Sequence, residues 1–361
     1  MELSGNKGEW SEVYALLRLL GEGKIHAGDA NLNKLDLYYP IISIIREESK
    51  RLEYKPNIDS HVVITNEEGT EYARFPMNRF LNESLHLLEQ IKSASTAAFE
   101  LPQTENFMKS IYCEKLKADS SSKSDIHIVI HDLRTGMRPQ LGFSIKSQLG
   151  KAATLLNAGK TTNFIYQVTG KNLSDNEVTR INSIDKHSER MRAVFENGCT
   201  LHFVDTEKST FRNNLLFADC CLPAFIAECL LISYHPEHSS SSIKEVVERV
   251  AANNPLHYSG NNVSLFYEYK MKKLLLDIAL GMSPGTEWNG RYEANGGYIV
   301  VRKDGEIVCY HFYNRNDVED YLYHNTRFEK ASRTRHQYGS LYRGEDGKLY
   351  MKLNLQIRFK E

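Results

Sequence analysis

The sequence predicts a mixed α/β (α+β) fold, a central sheet flanked by helices, on three observations. An amphipathic helical pattern opens the chain, apolar runs of period two recur along it, and two such runs form a hairpin over residues 124–147.

From about Lys7, at about 100° per residue, Trp10, Val13, Tyr14, Leu16, Leu17, Leu19 and Leu20 form a broad apolar arc, with Ser11, Arg18 and Glu22 on the wet side. Glu9 and Glu12 project from within that arc. An inward carboxylate needs an ion pair, a hydrogen bond or a metal, although acids in a first turn also suit the helix dipole. Next come a short segment at 25–28, an apolar run at 39–45 and a strand at 61–64. Helical spacing returns over 78–92 and 104–117, and a polar run at 118–124 leads into the hairpin.

The hairpin carries the chemistry. Ile126, Ile128 and Ile130 alternate on its first strand, and Leu141, Phe143 and Ile145 on its second, with a turn at 134–139. Folded about Thr135 and Gly136, it sets Asp125 roughly opposite Lys146, within reach of one metal and one phosphate. Ser144, Lys146 and Gln148 share the polar face, and Phe143 and Ile145 face a core. Phosphodiester hydrolysis needs a divalent cation to stabilise charge and acidify a water, with a second cation beside that water. Asp125 suits the metal and Lys146 the water. A surface hairpin with a solvated lysine has the same local pattern.

Beyond it, 155–159 reads as a loop and 163–168 as a core strand. The serine-rich stretch 236–243 marks a domain boundary, so the division expected is 1–235 and 236–361, with those serines capping a helix over 244–251. A helix over 265–280 and antiparallel strands at 298–301, 306–312 and 350–359 then make a C-terminal α/β lobe, the Asp304-Gly305 pair turning one hairpin. Arg315, Arg333, Arg335 and His336 are base-reading or phosphate-clamping residue types, and the tail from Tyr321 is rich in Lys and Arg.

Ser124-Asp125 and Ser144-Ile145-Lys146 resemble the PD-(D/E)XK nuclease signature, without its proline and second acid. Together with Asn6-Lys-Gly-Glu-Trp-Ser-Glu-Val-Tyr14, Gly296-Gly-Tyr-Ile-Val-Val301, Cys309-Tyr-His-Phe-Tyr-Asn-Arg315 and Leu353-Asn-Leu-Gln-Ile-Arg-Phe359, they make nearly the whole chain look like the HpaII family of restriction endonucleases. The resemblance implies a restriction-endonuclease-like fold and magnesium-dependent cutting of double-stranded DNA at a short site, CCGG for the namesake, leaving 5′-phosphates. It implies a homodimer, since each strand needs its own centre, and a separately encoded DNA methyltransferase. It also assigns the backbone carbonyl of Ile145 to the metal. One carboxylate and one carbonyl leave a hard cation short of ligands. Glu12, which is flanked by Leu16 and Leu19 and lies deeper in the helix, is preferred to Glu9 as the further acid, with Gln148 as a neutral substitute. A repair or nicking nuclease of the same fold, and a DNA-binding protein that has lost its acid, are the rivals.

Composition excludes other classes. A chain of 361 residues at 41% hydrophobic content fills a sizeable core, no run reaches membrane-spanning length, and the first five residues lack a signal pattern, so a prokaryotic cytoplasmic protein is expected. The net charge of −1 decides nothing about DNA. Six cysteines without CXXC spacing read as buried free thiols. Ala158-Gly-Lys-Thr-Thr162 lacks the first glycine of a phosphate loop, and the proline in His235-Pro-Glu-His238 breaks the helix a metalloprotease motif needs.

Overall fold

A computed structural model describes residues 3–117, 124–237, 241–292 and 295–360. The polar run 118–123, Ser239, Ser240 and His238 therefore lie outside the described residues.

The chain forms two compact units, residues 1–153 with 294–321 (and residue 361), and residues 154–293 with 322–360. A single cut at 235 does not describe it. The strands at 298–301 and 306–312 leave the segment expected as a C-terminal lobe and pair into the sheet of the 124–147 hairpin, because five consecutive buried residues in each need a sheet covered on both faces.

In the first unit the opening helix, α1 (Lys7–Glu22), starts at Asn6, whose side chain accepts from Gly8 and Glu9 N–H, while Glu9 returns a bond to the Asn6 N–H. This reciprocal cap contributes about 1 kcal/mol. Gly23, with φ 65°, ends the helix where a side chain would be strained. Leu16, Leu17 and Leu20 are fully buried, each stabilising by about 1.5–3 kcal/mol. They share one core with Ile44, Ile128, Phe143, Ile299 and Val301. Helices α2 (Met77–Ser93) and α3 (Pro102–Ser110) follow. The second is shorter than its pattern, since the chain turns at Ile111 and Tyr112 adopts φ 58°.

The unit's main sheet has nine strands: β1 (Lys24–Gly28), β2 (Lys34–Glu47), β3 (Arg51–Pro56), β4 (His61–Thr65), β5 (Glu71–Pro76), β6 (Ile126–Ile130), β7 (Gln140–Ser147), β8 (Gly297–Val301) and β9 (Ile307–His311). Their spatial order is β1-β9-β8-β7-β6-β2-β3-β4-β5, and β1 also pairs with β2. The long β2 explains this. His131 N donates to Pro40 O at 2.8 Å, and Ile41 N donates to Gly23 O at 2.9 Å. A residue's N–H and C=O point to one edge of a strand and its neighbour's to the other, so β6 and β1 lie on opposite edges of β2. Six strands thereby close into a ring, and β3 to β5 extend it. The segment at 25–28 and the run at 39–45 are thus both strands.

The second unit has a sheet of Cys199–Thr206, Asn163–Gly170, Leu349–Asn354 and Leu341–Arg343, and a smaller one of Thr154–Leu156, Ile357–Phe359 and Thr326–Phe328. The expected loop at 155–159 therefore begins as a strand, and the expected strand at 350–359 is two strands in different sheets. Helices Ile243–Asn253 and Val263–Ala279 stand where periodicity puts them. The serine cap does not form: Ser242 makes no cap bond, and its hydroxyl accepts from Lys360 Nζ. All six cysteines are free, but Cys220 is exposed and Cys221 half-buried rather than buried. No single helix among the described residues is long and apolar enough to cross a membrane.

Candidate active site

Antiparallel pairing of β6 and β7 sets Ile126 opposite Phe143, and Asp125 N donates to Phe143 O at 2.9 Å. Asp125 consequently stands beside Ser144, two residues short of the expected Lys146. The ladder centres between Arg134 and Thr135, one residue before the expected fold point. A shift of one at the turn moves the partner by two and leaves the face unchanged. Lys146 still reaches the cluster. Asp125 Oδ2 accepts from Ser144 Oγ at 3.0 Å and from Ile145 N at 2.6 Å, and Lys146 Nζ donates to Ser144 Oγ at 2.8 Å. The Ser144 hydroxyl thus joins a carboxylate to an ammonium. Burial holds the Lys146 ammonium below the ordinary lysine range, against the opposing charges of Asp125 and Glu12.

Helix α1 meets the end of β7, with Ser11 Oγ 2.8 Å from Ser147 Oγ. One turn of helix separates Glu9 and Glu12, and they do different things. Glu9 caps the helix and takes Lys117 Nζ at 2.6 Å, a bond that holds its carboxyl below the usual range. The half-buried Glu12 lies close enough to Lys146 for its charge to act on that ammonium.

Tyr298, which sequence reasoning left unassigned, completes the cluster. Strands β7 and β8 run parallel with Ser144 beside Tyr298. The Lys146 ammonium lies 5.5 Å from the centre of the Tyr298 ring. Burial pushes the Tyr298 hydroxyl upward, and the charge of Asp125 adds to it. Gly296 makes this approach possible, because a Cβ there would stand 2.0 Å from Gly142 O. The only sequence signal was Gly-Gly-Tyr before an apolar run.

Asp132 receives the Arg134 backbone N–H at 2.9 Å beside a cavity of about 220 Å³ that Tyr39, His311 and Asn314 also line. Gln148 lies just past β7, its N–H donating to Val301 O at 2.9 Å. Arg315 opens the helix Arg315–Asn325 and pairs with Glu319 at 3.0 Å. In the second unit, Arg333 binds Asp185, Arg335 is exposed, and His336 gives its carbonyl to Asn163. The basic tail is partly neutralised within that unit by Arg327–Glu329, Arg343–Asp175, Lys348–Asp346 and Lys352–Glu207 pairs.

The donors gathered here, a carboxylate, a hydroxyl and a second carboxylate on α1, are hard oxygens of the kind Mg²⁺ takes. No sulfur or imidazole appears among the Asp125, Ser144, Lys146, Glu12 and Tyr298 side chains. A mixed sheet bearing an Asp-Ser-Lys cluster at the start of its hairpin, beside an N-terminal helix, is the arrangement of a restriction endonuclease. The chain matches the HpaII restriction endonuclease family over residues 6–359 and belongs to it. It is 45% identical over 360 residues to "Type II restriction enzyme HpaII" of Haemophilus parainfluenzae, covering 99% of this chain and 98% of that one. The activity is that of a type II site-specific deoxyribonuclease. No solved structure matches the chain significantly.

Proposed function

We propose that the protein cuts both strands of DNA at CCGG or a related short GC-rich site with Mg²⁺, leaving 5′-phosphates, and that Asp125, Ser144, Lys146 and Glu12 form its active centre. The observation that carries this reading is the chain of contacts from Lys146 Nζ through Ser144 Oγ to Asp125 Oδ2.

Asp125, Glu12 and the Ile145 carbonyl would hold the ion. The Ile145 N–H points to Asp125, and a residue's carbonyl shares the edge of its N–H, which supports the last assignment. When bound, Mg²⁺ stabilises charge on the scissile phosphate and favours deprotonation of a water. Lys146, anchored on Ser144, orients that water and places positive charge beside it. The water oxygen bonds to phosphorus as the bond from phosphorus to the 3′ oxygen breaks. The water's proton leaves to solvent, and the 3′ oxygen takes a proton from solvent, giving a 3′-hydroxyl and a 5′-phosphate.

Two centres are needed for two strands, so the working form is a homodimer on a symmetric site. A separately encoded methyltransferase would protect host DNA in the prokaryotic cytoplasm where the enzyme acts. Arg315, Arg333, Arg335, His336 and Gln148 are proposed DNA contacts, with the exposed Arg335 the first to test.

The test incubates the protein with unmethylated plasmid and phage DNA in magnesium or EDTA and sequences the fragment ends. Magnesium-dependent fragments sharing one terminal sequence are expected. Intact DNA that shifts in a gel would replace this reading with a DNA-binding one.

A further inference from the structure

We propose that Tyr298 is a positioning residue for cleavage, whose ring face holds the Lys146 ammonium against Ser144; the inference rests on the role given to Lys146 above. A lysine side chain has four rotatable bonds and loses about 2 kcal/mol of conformational freedom when fixed, so one hydrogen bond at 2.8 Å holds it weakly. The Tyr298 ring, 5.5 Å from Nζ, is a second restraint on the same atom.

That ring is itself immobile. Tyr298 is 5% exposed, meets Phe312 edge-on at 6.0 Å and lies 6.1 Å from Tyr321. Its strand is seated against β7 by ladder pairing from Gly297 beside Phe143 to Val301 beside Ser147. Gly296 lets the backbones approach that closely. The ring is therefore held by its own packing and stands as a wall beside Lys146. An aliphatic side chain would fill the space without the ring's negative face.

The experiment measures single-turnover cleavage and DNA affinity for wild type, Tyr298→Phe, Tyr298→Leu and Lys146→Ala, with affinity taken in Ca²⁺ in place of Mg²⁺ and folding followed by thermal melting. Tyr298→Leu should cleave roughly tenfold more slowly at unchanged DNA affinity, and Tyr298→Phe, which keeps the ring, should recover most of the rate. If Leu does not fold there, the unbranched Tyr298→Met serves with the same expectation. A folded Leu or Met variant cutting at the wild-type rate, or a Phe variant as slow as Leu, overturns the inference. If Lys146→Ala is inactive while Tyr298→Leu is not, the Tyr298 inference alone fails. If Lys146→Ala cuts normally, the reading of Lys146 fails and takes this one with it.

Discussion

The backbone N–H of Ile145 donates to Asp125 Oδ2 at 2.6 Å. A strand N–H that would otherwise wait for a ladder partner instead fixes the carboxylate at the end of β6, and the Ser144 hydroxyl accompanies it at 3.0 Å. The orientation of Asp125 is thus already set in the folded chain.

Asp125→Ala should therefore lower the cleavage rate by at least about 100-fold, since both the proposed ligand and the partner of two donors are lost. DNA affinity in Ca²⁺ should change far less. Timed digestion with gel-shift titration measures both, and an Asp125→Ala protein that cuts at full rate rules the site out.

Ser144→Ala removes the atom between Asp125 and Lys146 without disturbing the strand. A loss of roughly tenfold in rate is expected, smaller than for Asp125→Ala, because the carboxylate keeps its bond to Ile145 N. Equal rates for Ser144→Ala and wild type in single turnover would mean that the hydroxyl plays no part.

Glu12→Gln and Glu9→Gln should separate. The first is expected to cost at least about 100-fold in cleavage with little loss of stability, the second about 1 kcal/mol of stability through the helix cap with cleavage retained. Urea unfolding and digestion of both proteins decide it. The reverse outcome would move the further acid to Glu9.

Acid should weaken the fold through His311. Burial depresses its imidazole to about 4 from 6.5, where Tyr39, Phe143 and Tyr313 pack around the ring and Asp132 and Arg134 are the nearby charges. Between those values the unfolded chain binds a proton that the folded chain does not, so stability falls as pH drops from about 6.5 toward 4. The contribution is on the order of 3 kcal/mol. Melting temperatures of wild type and His311→Gln across that interval should converge as pH falls; parallel curves would remove His311 from the account.

Much of the fold was legible because burial writes a local period. Two alternating runs around a turn give β6 and β7, and an apolar arc gives α1. Asp125, Ser144 and Lys146 could be named because all three lie on that one hairpin. What stayed hidden depends on segments far apart in the chain. No local pattern says that β8 pairs parallel with β7, so neither Tyr298 at the site nor the split of residues 236–361 between two units could be read. The choice between Glu9 and Glu12 was open for a similar reason: both face inward by helical angle, and only the placement of Lys117 and Lys146 around the helix distinguishes them.

By itself the sequence determined the hairpin strands β6 and β7, the first helix, the family and the residue types of the centre, since periodicity and residue chemistry act over a few neighbours. Tertiary structure alone decided which groups meet. The turn's centre set Ser144 rather than Lys146 beside Asp125, and the pairing of strands about 150 residues apart brought the Tyr298 ring to Lys146.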